Sequence, residues 1–165
     1  MDLFFDDFHF SYFIRMLVSF LCGLMFGLER QLRAKPFGIR ACVLICMGTT
    51  LFVYVGQEAL TLASDSTRVI GQVITGIGFL GAGAILQKDS LVLGITSAAT
   101  IWVIAAVGAA IGAGHLGYGV ATTFLCVTLL TVSRQIEMRV SMLHQGGISY
   151  IRSDRRKRKR DDYDQ

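Results

Sequence analysis

From Ser90 to Ser133 the chain runs for 44 residues without a single Asp, Glu, Lys or Arg. A helix needs about 20 mostly apolar residues to cross the hydrocarbon core of a bilayer, so this stretch holds two crossings and a turn. The turn is expected at Gly112-Ala113-Gly114-His115-Leu116-Gly117, where glycine lets the backbone reverse cheaply. Two more uncharged runs precede it: 17 residues between Arg40 and Glu58, and 19 from Val69 to Gln87. Only 17% of the 165 residues are charged, whereas a soluble domain needs about a quarter to cover its surface. Lipid is the solvent for the middle of this chain.

Only structures that close their own backbone hydrogen bonds survive in lipid, which leaves helices or a barrel. Barrel strands alternate apolar and polar residues in runs of about ten, and these stretches are apolar all round. The expected fold is therefore all-α, a polytopic membrane bundle of about five transmembrane helices. These are placed at about 9–28, 40–57, 69–87, 91–112 and 115–133, and a short basic tail follows at 134–165. The first apolar stretch, Phe8 to Leu28, carries one charge, Arg15, expected near one end with its head reaching the interface. A cleaved signal peptide fits poorly. Such peptides begin with positive charge, and this N-terminus has Asp2, Asp6 and Asp7.

Lys and Arg gather on the cytoplasmic side of short loops. Five spans place Arg30, Arg33, Lys35, Arg40, Lys88 and the nine basic residues from Arg134 onward on one side, 14 of the 16 in all. Only Arg15 and Arg68 fall toward the other. This puts the N-terminus outside and the C-terminus inside. The net charge of +4 thus has a membrane explanation and does not imply nucleic-acid binding. The run Arg155-Arg156-Lys157-Arg158-Lys159-Arg160 is a candidate contact for anionic lipid, softened by Asp161, Asp162 and Asp164. The alternative is a solvated tail that helps fix topology.

Glycine patterning sets the helix contacts. Helices in lipid gain little from hydrophobic burial against one another, so close approach over small residues matters more. Gly23 and Gly27 form a GxxxG on the first helix, and Gly108 and Gly112 form another on the fourth, beside Ala105, Ala109 and Ala113. The third helix carries Gly71, Gly76, Gly78, Gly81 and Gly83, dense enough to suggest backbone contact on more than one side. Its Gly76-Ile77-Gly78-Phe79-Leu80-Gly81 literally matches the dinucleotide fingerprint GxGxxG. That motif needs a strand before it and an acidic residue about 20 positions later. Ile101 stands there instead. Nucleotide binding is rejected. A second reading is that these glycines loosen the helix midway and expose carbonyls to an ion or water path.

Candidate chemistry is sparse. Cys22, Cys42, Cys46 and Cys126 fall inside expected helices, and no His or carboxylate accompanies the Cys42/Cys46 pair as a metal set would require. His9, His115 and His144 sit at separate segment ends. No Ser/His/Asp set, HExxH or P-loop is present, so no catalytic, cofactor or metal residues are assigned. Glu29, Glu58, Asp65 and Asp89 are expected at helix ends or in loops. Thr49, Thr50, Gln72, Thr75, Thr96, Ser97 and Thr100 could line a polar path, though such residues more often bond back to their own helix. The densest polar segment follows the first helix, from Glu29 and Arg30 to Arg40. Pro36 fixes a turn there, Gly38 permits an unusual backbone angle, and Glu29 can pair with Arg33 at i,i+4.

Three blocks, in order, resemble the MgtC/SapB family of bacterial inner-membrane proteins over roughly residues 15 to 133. They are Gly27-Leu28-Glu29-Arg30 with Lys35-Pro36-Phe37-Gly38-Ile39-Arg40; Asp65-Ser66-Thr67-Arg68 leading into Gly76-Ile77-Gly78-Phe79-Leu80-Gly81-Ala82-Gly83; and Gly94-Ile95-Thr96-Ser97-Ala98-Ala99-Thr100-Ile101-Trp102 with Ala106-Val107-Gly108. Phe37 stands where the family typically has a small residue, and Ile95 and Ser97 replace the usual Leu and Thr. Many members continue into a soluble C-terminal domain, which a short form such as this is expected to lack. The resemblance implies a non-enzymatic protein of the bacterial plasma membrane, linked to magnesium homeostasis, low-magnesium stress and, in some members, virulence. Its motif residues, Glu29, Arg30, Lys35, Pro36, Gly38, Arg40, Asp65, Arg68, Gly76, Gly78, Phe79, Gly81, Gly83, Thr96 and Trp102, become candidates for interaction.

The expected activity is that of a regulator or accessory factor that docks with other membrane proteins, self-association included, through helix contacts and a cytoplasmic polar surface around Glu29, Arg30 and Arg40. The alternative is an oligomeric transporter or channel for Mg²⁺ or another cation. Mg²⁺ sites use carboxylates and retained waters, and the expected membrane interior offers no carboxylate.

Overall fold

The computed structural model describes residues 2–58, 66–88 and 91–136. Asp65, the basic run 155–160 and all but the first residue of 136–142, where apolar and polar residues alternate as in a short strand, lie outside them. Five helices follow in chain order: α1 (Asp2–Leu32), α2 (Ile39–Glu58), α3 (Ser66–Gly83), α4 (Ile95–Gly112) and α5 (Leu116–Ile136). Four are long and apolar enough to cross a membrane, over Phe10–Leu32, Ile39–Gln57, Ile95–Gly112 and Leu116–Ile136. The third apolar segment, Arg68–Gly83, is shorter. The expected helical membrane bundle is what the chain forms.

The first helix, expected over 9–28, extends over Asp2–Leu32, and the join of α3 and α4 also differs. The third helix was expected over 69–87, yet α3 ends at Gly83, and Leu86–Lys88 (β1) pairs antiparallel with Leu91–Leu93 (β2). The cause is local. Gly81 and Gly83 hold a helix weakly, and the last turn tightens through Ala84 N–H to Gly81 O and Ile85 N–H to Ala82 O. The hairpin closes with Leu86 opposite Leu93. Gly94 then starts α4 with φ 92°, so close to the Ala84 carbonyl that no Cβ would fit. α4 consequently begins at Ile95 instead of 91. At its far end the expected turn is present: Gly114, φ 92°, sits in a Schellman turn with Gly114 N–H to Ile111 O and His115 N–H to Ala110 O.

Residues up to Val127 make one compact unit. Its centre is α2, gripped on both sides by glycine faces. A Cβ on Gly23 would lie 2.8 Å from Val43 Cα, and one on Gly27 would run into Ile39 Cα. Across α2, a Cβ on Gly112 would lie 2.6 Å from Thr50 O, and one on Gly108 would strike Cys46 O. Both GxxxG pairs therefore do what small residues do in lipid: they let backbones touch. Thr50 Oγ1 bridges the joint, lying 2.9 Å from Cys46 O on its own helix and 3.0 Å from Gly108 O on α4. The cysteines Cys22, Cys42 and Cys46 are buried and free. From Thr128 a second unit begins; its described residues complete α5, where Ser133 Oγ donates to Leu130 O.

α3 is attached differently. It leans on α4 through Ile77, Ala84, Ile101 and Ala105, with Phe37, Ile45, Val73 and Ala98 packed around them. It meets α2 at one end, where a Cβ on Gly56 would be 2.8 Å from the Val69 side chain. Its glycines do not make the close contacts expected of them. Around Gly71, Gly76, Gly78 and Gly83 an added Cβ would meet nothing within 4 Å, and Gly81 alone approaches a neighbour, Ala98. Nor do they break the helix, which runs unbroken from Ser66 to Gly83.

Candidate functional site

The polar centre of the molecule forms where α1 ends. Arg30 lies in the last turn of α1, where the unsatisfied carbonyls favour a cation. Sequence reasoning placed it on a polar surface; it is instead 2% exposed. A guanidinium offers five N–H donors in a rigid fork, and this one faces two directions. Toward the loop, Nη2 donates to Pro36 O at 2.8 Å, and Nε lies 3.2 Å from Phe37 O and 3.3 Å from Pro36 O. Toward α4, Nη2 donates to Ser97 Oγ at 2.7 Å and Nη1 to Thr100 Oγ1 at 3.3 Å. Thr100 passes its own proton to Thr96 O at 2.7 Å. The neutral oxygens replace water around a buried charge that would otherwise be prohibitive.

The neighbouring carboxylate is engaged elsewhere. Glu29 Oε1 pairs with Arg33 Nε at 2.9 Å, the i,i+4 pairing expected from spacing. Arg30 is left among hydroxyls and carbonyls, with no carboxylate paired to it among the described residues.

The loop itself is wound tightly to bring its carbonyls inward. Ala34 N–H bonds Gln31 O and Lys35 N–H bonds Arg30 O, the same Schellman pattern that ends α4. Here the left-handed position is Ala34, φ 49°, and a second residue, Phe37, sits at φ 64°. The unusual angle that Gly38 would permit falls one residue earlier, on a bulky side chain for which this region is costly. Phe37 is held there because its carbonyl accepts from Arg30 Nε and Cys42 Sγ, at 3.2 and 3.6 Å, while its ring packs on the α3/α4 cluster. The two Schellman turns make a matched test. Ala34→Gly should stabilise the protein by about 1 kcal/mol and Gly114→Ala should weaken it by a similar amount, read as opposite shifts of the thermal midpoint in detergent.

A second arginine grips the far end of the same helix pair. Arg15 Nη1 donates to Gly112 O at 2.7 Å, and its guanidinium carbon lies 5.0 Å above the Tyr54 ring. Its head reaches the end of α4, beside the turn at Gly114. The last carbonyls of α4 have no helical partner and Arg15 supplies one. Arg15 and Arg30 stand about 22 Å apart along α1 at 1.5 Å per residue. α1 thus clasps antiparallel α4 near both of its ends.

The remaining motif residues do not converge on this site. Lys35, Pro36 and Arg40 are exposed around the loop, and the Pro36 contribution is its carbonyl. Gly38 lies beside Gln31. Arg68 is exposed on α3, Phe79 is 81% exposed, and Trp102 stands half-exposed beside α3. Thr96 is exposed and takes part through its carbonyl. What sequence reasoning missed is the direct Arg30–Ser97 and Arg30–Thr100 union. A cation at a helix end and hydroxyls opening another were both visible, but nothing in either segment names the other. No group of three or more His, Cys, Asp or Glu able to hold a metal occurs among the described residues.

A helical membrane unit held by glycine faces and two internal arginines defines a class before it defines an activity. Residues 16–139 match the MgtC family, and the chain belongs to it. Among curated relatives, the "Putative magnesium transporter YhiD" of Escherichia coli (strain K12) is 38% identical over 138 residues, covering 79% of this chain and 64% of the relative. Protein SrpB of Synechococcus elongatus is 41% identical over 132 residues, 72% of this chain and 71% of its own. Protein MgtC of Salmonella typhimurium is 33% identical over 135 residues, 81% of this chain and 57% of its own. The chain thus spans a little under two thirds of YhiD and rather less of MgtC. No solved structure matches it. With its apolar helices, this makes it a multi-pass membrane protein of a family with magnesium-related names.

Proposed function

We propose that this protein is a non-enzymatic regulator or accessory factor of the bacterial plasma membrane, with its N-terminus outside, serving magnesium homeostasis and low-magnesium stress by docking other membrane proteins. One observation carries the reading. Gly23 and Gly27 of α1 and Gly108 and Gly112 of α4 are spent on close contact with α2, whereas α3 turns Gly71, Thr75, Gly78 and Ala82 outward in one exposed stripe. Their spacing of i, i+4, i+7 and i+11 is that of a single helix face. Glycine weakens a helix by about 1 kcal/mol relative to Ala, and a lipid-facing surface gains nothing in return, but a docking helix does.

The transporter named among the relatives remains the rival. An ion path needs oxygen ligands or charged rings along its wall. An opening between α2 and α3 is walled by Leu51, Phe52, Val55, Val73, Ile77 and Leu80, with Thr49 and Gln72 as its polar side chains. Liposomes holding the purified protein should therefore pass Mg²⁺ no faster than empty ones. Mild-detergent extraction from native membranes should recover a partner that Gly78→Leu releases. Robust Mg²⁺ flux, abolished by Gly78→Leu, would overturn the proposal.

A further inference from the structure

We infer that the β1–β2 hairpin is an interfacial membrane element. It rests where acyl chains meet headgroups, in the leaflet at the end of the bundle that also holds the α1–α2 loop. That end is fixed by Arg30, in the last turn of α1, which reaches Ser97 and Thr100 at the start of α4. The inference needs only that the helices cross a bilayer, and it is independent of what docks on Gly71, Thr75, Gly78 and Ala82.

Two helix lengths place the hairpin at one depth. The hydrocarbon core is about 30 Å thick. From Arg68, the charged end of α3, to Gly83 the helix rises about 24 Å. The tight turn at Ala84 and Ile85 adds about 5 Å, so Leu86 stands at the far limit of the core. Counted from the other end, the 18 residues of α4 rise about 27 Å from Gly112 to Ile95, and Leu93, two residues on, meets the same limit. Leu86 and Leu93 lie opposite one another in the ladder, so the two counts agree. From that pair the ladder runs only to Lys88 and Leu91, at most about 7 Å further, which is about the thickness of the headgroup layer.

The hairpin's own chemistry selects that boundary over water and over hydrocarbon. Val92 and Leu93 are neighbours on β2 and so point to opposite faces, yet they are 53% and 51% exposed. Neither face is closed by the rest of the described chain, and a two-stranded hairpin alone is marginal in water. Deeper in the membrane its edges would fail instead. With two strands only, each turns a row of N–H and C=O groups outward, and open edges do not occur in hydrocarbon. At the boundary the side chains meet acyl chains and the edges meet the water among the headgroups. Lipid already borders the hairpin on its α4 side: Ile95, Ala99 and Trp102 form one exposed face of that helix at i, i+4 and i+7, which begins where β2 ends.

The full chain in phosphatidylcholine nanodiscs tests it, in a background where Trp102→Phe removes the only tryptophan. Val92→Trp and, independently, Leu93→Trp should lose most of their emission to phosphatidylcholine brominated near the headgroup end of its acyl chain. They should lose less to lipid brominated near the chain end, and little to aqueous iodide. Leu125→Trp, exposed near the middle of α5, should reverse the order of the two lipids. The unaltered protein gives a second reading: a phospholipid carrying a diazirine near its headgroup should, on illumination, label the peptide 85–95. Strong iodide quenching at both hairpin positions, with no effect of brominated lipid, would put the hairpin in water as a surface for a soluble protein and overturn the proposal. The Leu125 order of quenching at both positions overturns it too, because the hairpin would then lie within the hydrocarbon. So does a peptide 85–95 that takes up no label.

Discussion

Arg30→Met is expected to unfold more of this protein than any other single change outside the glycine joints. The substitution removes a charge whose partners are all neutral, so no opposite charge is stranded. What it strands are acceptors. Pro36 O loses its bonds to Nε and Nη2, Phe37 O keeps only its weak contact with Cys42 Sγ, and Ser97 and Thr100 lose the donor that ties α4 to α1. Each buried polar group left unsatisfied costs about 1–3 kcal/mol, and a bond from a charged donor about 1.5–3. A loss of about 4 kcal/mol follows, a large part of the stability of an ordinary domain. Arg30→Lys should recover little, because one ammonium cannot reach the loop carbonyls and both α4 hydroxyls together. Thermal survival of the monodisperse protein in detergent measures this. Arg30→Met within about 1 kcal/mol of the unaltered protein would mean the fork contributes nothing. Ser97→Ala and Thr100→Ala should fall between.

Adding one methyl group gives the second large effect, with its sign set by position. Gly27→Ala would drive a Cβ into Ile39 Cα, and Gly108→Ala into Cys46 O, both backbone atoms of α2. No rotamer relieves such a clash, so the helices must separate. The loss should reach the upper end of the about 1–3 kcal/mol typical of overpacking, and the Thr50–Gly108 bond would open with it. The same substitution at Gly78 meets nothing within 4 Å, and should stabilise the isolated chain by about 0.5–1 kcal/mol through helix propensity. If Gly78→Ala destabilised the purified chain as much as Gly108→Ala, α3 would not be facing outward.

Much of the fold is written in the sequence because lipid imposes a coarse code. Uncharged runs of the right length become helices, and the turn expected within Gly112 to Gly117 forms at Ala113–His115. The GxxxG pairs announce close approach, and the structure supplies its direction, both toward α2. The code fails where short-range backbone chemistry prevails. Nothing in the apolar Leu86 and Leu91–Leu93 distinguishes a helix end from a hairpin, and a glycine-rich helix terminus decided it. It fails again for Arg15 and Arg30. A cation near a span end reads as one that reaches for water, and only the fold shows that each has found oxygens on α4. Gly38 invited the unusual angle that Phe37 takes, because the winding is set by where Arg30 needs carbonyls.

The double clasp also fixes a timetable for biogenesis. Arg15 waits 97 residues for Gly112, and Arg30 waits 67 for Ser97 and 70 for Thr100. At about 5–20 residues per second of synthesis, the contacts with α4 come several seconds after α1, which until then has α2 beside it and, for Arg30, only the loop carbonyls. A nascent chain halted before Ser97 would leave Arg15 without its α4 acceptor and Arg30 with the loop carbonyls alone.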